Sequence, residues 1–165
     1  MLLTGGAGYI GAVTVERLLA AGHEVDILDD LSTGHRSAAH PDATLHTDSF
    51  TDQAAVERIL RERQIDAILH CGARSLVGES MADPARYYRQ NVAGGVAMLD
   101  GMRAVGVRRL VFSSSAAVYG SPDTTPIPED AATRPINPYG ETKRTFESAL
   151  GFYGTAYGLR SVSLR

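Results

Sequence analysis

Short apolar runs alternate along this chain with stretches whose apolar residues recur at helical spacing. Met1-Leu2-Leu3 is the first run, and it leads into Thr4-Gly5-Gly6-Ala7-Gly8-Tyr9-Ile10-Gly11. Tyr9 to Ala21 reads as a helix with Gly11, Val15 and Leu18 or Leu19 on one face, stopped by Gly22-His23. Glu24 to Asp29 predicts a second strand ending in a carboxylate, and Ala43 to Thr47 a weaker third one ending at Asp48. An amphipathic helix follows, with Thr51 as its expected cap and Val56, Ile59 and Leu60 facing inward. Ile65 to His70 is a fourth strand, closed by the small residues around Cys71-Gly72-Ala73. Asp83-Pro84 opens a long predicted helix running to about Arg103 and containing Asn91. Arg109 to Phe112 begins a fifth strand that runs into Ser113-Ser114-Ser115, and Arg160 to Leu164 alternates as a sixth.

Six strands separated mainly by helices predict an α/β fold with a doubly wound, mostly parallel sheet. The 165 residues suit one domain with a substantial core. Five of the seven prolines fall between Pro122 and Pro138, which makes that stretch a stiff surface loop. Asn137-Pro138 then reads as a cap and first-turn proline, placing Tyr139 in the first turn of a helix and Lys143 one turn later.

Composition narrows the partners. A net charge of −3 gives no general basic surface for nucleic acid or anionic lipid. The apolar runs are too short for a membrane span, and the amino terminus lacks the pattern of a signal peptide, so the expected location is cytoplasmic. Cys71 is the lone cysteine and forms no intrachain disulfide, the five histidines are scattered and read mostly as surface or turn residues, and no metal site is expected. Lys143 is the only lysine among 16 basic residues.

Gly5, Gly8 and Gly11 recur every third position between a strand and a helix. Such glycines allow a sharp turn, close approach of phosphate oxygens and close helix packing, while the helix start offers free N–H groups to an anion. By itself the pattern is equally that of an ordinary turn. Asp29, eighteen positions after Gly11, stands where a strand-end carboxylate meets a ribose; it would accept from both hydroxyls and repel a 2′-phosphate, favouring NAD over NADP. The simpler reading of Asp29 and Asp30 is the start of a loop. Tyr139 and Lys143, four apart, share a helix face, where an ammonium would favour the phenolate of a tyrosine base. A strand-end serine would complete the set by bonding a substrate oxygen.

Together, Gly5 to Gly11, Asp29, Ser113 to Gly120 and Tyr139-Gly140-Glu141-Thr142-Lys143 resemble the extended short-chain dehydrogenase/reductase family, and most closely its nucleotide-sugar epimerase branch. Asp29-Asp30-Leu31, Val77-Gly78-Glu79-Ser80 and Tyr87-Tyr88 ahead of Asn91-Val92 add to the likeness, which covers nearly the whole chain. The resemblance implies a Rossmann-like fold, NAD as cofactor, and C4 epimerisation of a UDP-hexose by transient hydride transfer, interconverting UDP-glucose and UDP-galactose. It makes Tyr139 the acid/base, Lys143 the residue that positions the nicotinamide ribose and tunes Tyr139, and Ser115 the one that bonds the sugar hydroxyl. Gly5, Gly8, Tyr9, Ile10 and Gly11 would hold the pyrophosphate, and Asp29 the adenosine ribose with Asp30, Leu31 and Ser32 beside it. Asp48 and Ser49 would meet the adenine, and Cys71, Gly72, Ala73, Ser75 and Asn91 further parts of the cofactor.

A related branch, the 4,6-dehydratases, has an Asp-Glu pair after the strand-end hydroxyl. Ala116 and Ala117 stand there in this chain, which favours redox without elimination. Two departures from the family stand out: a first strand of only four residues, and Ser75 where the epimerases often carry lysine. The family continues into a smaller sugar-nucleotide domain, so residues 1–165 are expected to be the dinucleotide-binding domain, with a substrate domain following residue 165. A homodimer through the helices from about Asp83 and Asn137 is also implied. The other readings are an NAD-dependent sugar-nucleotide reductase or dehydrogenase, and a non-catalytic NAD-binding module.

Overall fold

The structure, a computed structural model, describes residues 1–165. Six parallel strands form one sheet in the order β3-β2-β1-β4-β5-β6: β1 Leu2–Thr4, β2 Asp26–Leu28, β3 Thr44–His46, β4 Ile68–His70, β5 Arg109–Ser113 and β6 Arg160–Leu164. Strand order reverses between β1 and β4, so their carboxyl ends diverge into a crevice. Alternate residues of the strands feed opposite faces of the sheet. Leu2, Ile68, Leu110 and Phe112 join a cluster with Val56, Ile59 and Leu60 of α2 (Gln53–Glu62), Met98 and Leu99 of α5 (Gly94–Val105), and Phe146 and Leu150 of α6 (Pro138–Tyr157). Leu3 and Ile27 pack on the other face with Val15 of α1 (Tyr9–Ala20).

Several boundaries differ from the sequence expectation. The α2 cap is Asp52, whose carboxylate accepts from the N–H groups of Ala54 and Ala55; Thr51 instead pairs its hydroxyl with Ser49 at 2.9 Å. An aspartate at the first non-helical position satisfies two free donors at once, and that position falls one residue later than the threonine. The long helix expected from Asp83 is α4 (Pro84–Tyr87), a π-helical segment (Tyr88–Ala93) and α5 in succession, with Asp83 capping Arg86 N–H as expected. A short α3 (Val77–Ala82) and a 3-10 turn (Ala116–Tyr119) were not legible in the pattern. His70 is fully buried, unlike a surface or turn histidine: Thr4 Oγ1 lies 2.6 Å from its Nδ1, and the rings of Phe50, Phe112 and Phe146 surround it. No helix is long and apolar enough to cross a membrane.

The turn between β1 and α1 is tightly closed. Gly5 has φ +73°, a left-handed conformation in which a side chain would be strained. Gly11 was expected to let the helix approach the sheet, but what it approaches is the turn itself: a Cβ there would lie 2.0 Å from the Gly5 carbonyl oxygen. Contact with the sheet falls to Gly6, whose added Cβ would meet Ile27 of β2 at 2.7 Å. Gly11→Ala should therefore lower stability by about 1–3 kcal/mol in urea unfolding, the ordinary cost of overpacking; an unchanged midpoint would show that the turn can relax.

Candidate active site

A cleft of about 390 Å³ opens at the carboxyl ends of the strands, where the order reverses. Its floor at one end is the β1–α1 turn, with Gly5, Gly8, Tyr9, Ile10 and Gly11 on the wall. Gly8 caps α1 without a side chain, and the first turn carries no acidic residue, so the N–H groups at the helix start have no side-chain partner. Beside it Asp29 accepts from Ala7 N–H through Oδ2 and from Leu31 N–H through Oδ1, both at 2.9 Å. The carboxylate thus ties the end of β2 to the glycine turn, and each oxygen keeps a lone pair for a ligand hydroxyl. Asp30 and Ser32 also line the cleft, whereas Leu31, at φ 57°, does not.

The opposite end is built by β4, β5 and α6. Asn137 caps α6 by accepting from Gly140 N–H at 2.8 Å, which fixes where the helix begins and so the directions of Tyr139 and Lys143. Lys143 is 4% exposed; its Nζ donates to the Ser113 carbonyl at 2.7 Å and stands 4.7 Å from the Phe112 ring centroid and 5.9 Å from that of Tyr139. Burial pulls its pKa down to about 8, against the opposing pull of Cys71 and Glu147. Burial and the neighbouring Lys143 hold His70 down at about 3, so the imidazole is neutral, and burial pushes the Cys71 thiol up against the influence of Lys143 and a hydrogen bond with Ser113. Near neutral pH the ammonium is therefore flanked by a neutral ring and a neutral thiol.

Asn91 sits in the π-helical segment and is buried. It accepts from Arg74 N–H at 2.8 Å and donates to Arg74 C=O at 3.0 Å and to Thr142 Oγ1 at 3.1 Å. It fixes the loop after β4, which brings Cys71, Gly72, Ala73 and Ser75 to the cleft, without lining the cleft itself.

A family model described as the NAD dependent epimerase/dehydratase family matches residues 1–165. The chain belongs to this family. It is 48% identical over 165 residues to the UDP-glucose 4-epimerase of Corynebacterium glutamicum, covering 100% of this chain and 50% of the relative. The solved UDP-glucose 4-epimerase from Brucella ovis in complex with NAD matches with a TM-score of 0.96 at 43% identity, over 99% of this chain and 50% of that one. The Thermotoga maritima UDP-glucose 4-epimerase with UDP-glucose gives 0.94 at 34%, over 99% and 54%. The chain spans about half the length of the curated relatives it matches.

Within this epimerase/dehydratase chain most of the expected site residues converge, and three more stand apart. Asp48 is paired with Arg58 at 2.8 Å, Ser49 with Thr51, and neither lines the cleft. Ser115 caps the 3-10 turn by accepting from Ala117 N–H at 3.1 Å and is not among the lining residues, whereas its neighbours Ser113 and Ser114 are. Its own hydroxyl proton remains free to donate. The sequence reading missed Thr33, Gly34, Phe50, Arg74 and Gln90 on the cleft wall. It also missed Glu147, which follows Lys143 at the same four-residue step that separates Lys143 from Tyr139, a signal that was there to be read.

The burial of Lys143 fixes the sign of a pH effect. Its folded pKa, about 8, lies below the ordinary 10.5, so between these values the unfolded chain holds a proton that the folded chain lacks, and Lys143 makes stability rise with pH through that window. Urea unfolding of wild type and Lys143→Met at pH 7 and pH 10 checks this. Wild type should gain stability relative to the variant at pH 10, and a constant difference would contradict it.

Proposed function

We propose that residues 1–165 are the dinucleotide-binding domain of an NAD-dependent enzyme that inverts C4 of a UDP-hexose, interconverting UDP-glucose and UDP-galactose. The observation that carries this reading is the convergence of the β1–α1 turn, Asp29, Tyr139 and Lys143 on one cleft. The cleft fits the cofactor. The helix start is uncapped by any side chain and free of acidic residues, Gly8 leaves room that a Cβ would occupy, and Asp29, bonded to Ala7 of the same turn, has lone pairs to spare. Names of the relatives and of the NAD-bound neighbour support the same assignment.

The chain's own groups then divide the work. Backbone N–H groups of Tyr9 and Ile10 hold the pyrophosphate and Asp29 the adenosine ribose, with Asp30 and Ser32 alongside. Cys71, Gly72, Ala73 and Ser75 form the middle of the cradle. Bound NAD supplies reversible acceptance of a hydride from the sugar. Tyr139 takes the proton from the C4 hydroxyl and returns it after the sugar has presented its other face, while Ser115 donates to that same oxygen as its charge changes. Lys143 keeps two donors beyond its bond to Ser113 for the nicotinamide ribose, and its charge favours the Tyr139 phenolate. Elimination of water is not part of the proposal, because Ala116 and Ala117 offer no ionisable group in the turn after Ser115.

A homodimer and a cytoplasmic location belong to the same proposal. Phe152 on α6, 73% exposed, and Tyr88 in the π-helical segment give those helices an apolar outer surface for a second copy.

Protein carrying this chain and loaded with NAD should convert UDP-galactose to UDP-glucose without added reductant. Tyr139→Phe should cut the rate on the order of 10²-fold or more while leaving NAD bound. Stoichiometric release of NADH would favour a dehydrogenase instead, and no conversion by folded, NAD-loaded protein would exclude the epimerase.

A further inference from the structure

Glu147 has no part in the chemistry above, yet it is the hub of a polar cluster behind the cleft. Its side chain is 10% exposed. Oε1 accepts from the Ser114 hydroxyl and from Arg165 Nε at 3.1 Å, and Oε2 accepts from Arg165 NH2 at 2.7 Å. Arg165 also donates to the Tyr119 hydroxyl at 3.2 Å and lies over that ring, 5.3 Å from its centroid. One carboxylate therefore joins the end of β5, the 3-10 turn, α6 and the residue after β6. Ser114 lies between Ser113, whose carbonyl receives Lys143, and Ser115.

We propose that Glu147 is a positioning residue of this site: through Ser114 and Arg165 it fixes the strand end that seats Lys143, and its carboxylate, one turn along α6 on the same helix face, supports the charge of that ammonium. This rests on the functional reading above. The groups facing Lys143 leave few other candidates. From β4 come His70, a neutral imidazole, and Cys71, a thiol that burial keeps protonated near neutral pH. From β5 come the Phe112 ring and the Ser113 carbonyl, and from α6 the Tyr139 ring and Glu147. Glu147 is the one carboxylate among them, and Arg165 tempers it by taking both oxygens. This gives two residues with opposite leverage on one ammonium: removing Glu147 disfavours the charged lysine, and removing Arg165 favours it.

Lys143 is the only lysine in the 165 residues, so [ε-13C]lysine labelling gives a single side-chain resonance whose pH titration reports this site alone. Glu147→Gln should lower the titration midpoint by roughly half a pH unit or more, and Arg165→Gln should raise it. Glu147→Asp should restore part of the loss. A merely structural role would loosen the cleft and move both variants the same way, towards the ordinary lysine value, and that result would overturn the proposal, as would an unmoved midpoint in both. If Glu147→Gln does not fold, Glu147→Asp decides: its midpoint should fall below that of wild type, and a midpoint above it would overturn the proposal. The titration needs no turnover, so its failure counts against Glu147 alone, whereas absence of UDP-galactose conversion counts against the enzymatic reading alone.

Discussion

The ammonium of Lys143 is nearly out of water, and much of the carboxyl end of the sheet is arranged around that fact. A buried cation needs hydrogen bonding and nearby charge to offset its lost hydration. Ser113 C=O, the face of Phe112 and the carboxylate of Glu147 meet those needs from β5 and α6. His70 is neutral first because it is itself buried, in the aromatic cluster of Phe50, Phe112 and Phe146, and second because it would repel the lysine if protonated. Tyr139 gains a cation on its own helix face because that cation is already held in place.

The other half of the cleft is governed by backbone proximity. Gly5 and Gly11 let the first turn fold back on itself, and Asp29 locks it to β2 through Ala7 N–H. The result is a helix start with free N–H groups, set across the crevice from the lysine. Sheet order links the two halves: β1 and β4 are neighbours, so the glycine turn and the loop of Cys71 to Ser75 share one crevice. Asn91 completes the arrangement from a π-helical turn, a geometry that recurs at functional sites because it redirects one side chain without ending the helix.

Much of this was legible because local chemistry and tertiary role coincide. Alternating apolar runs gave six strands, and Asn137-Pro138 gave both the start of α6 and the face bearing Tyr139 and Lys143. What escaped depends on contacts between residues distant in sequence. Nothing local marks His70 as buried, since its partners Thr4, Phe50, Phe112 and Phe146 are spread along the chain. Thr51 and Asp52 are both good caps, and only the backbone decides between them. The π-helical turn leaves no mark in apolar periodicity. Adenine contacts at Asp48 and Ser49 came from resemblance alone, and here those side chains are engaged with Arg58 and Thr51.

The proposed function requires that the cleft take NAD and that Asp29 disfavour a 2′-phosphate. Calorimetric titration of the folded chain tests it most directly. One equivalent of NAD should bind, with NADP weaker on the order of tenfold or more, about 1.4 kcal/mol. A folded chain that binds neither dinucleotide, or binds NADP as well as NAD, would contradict it.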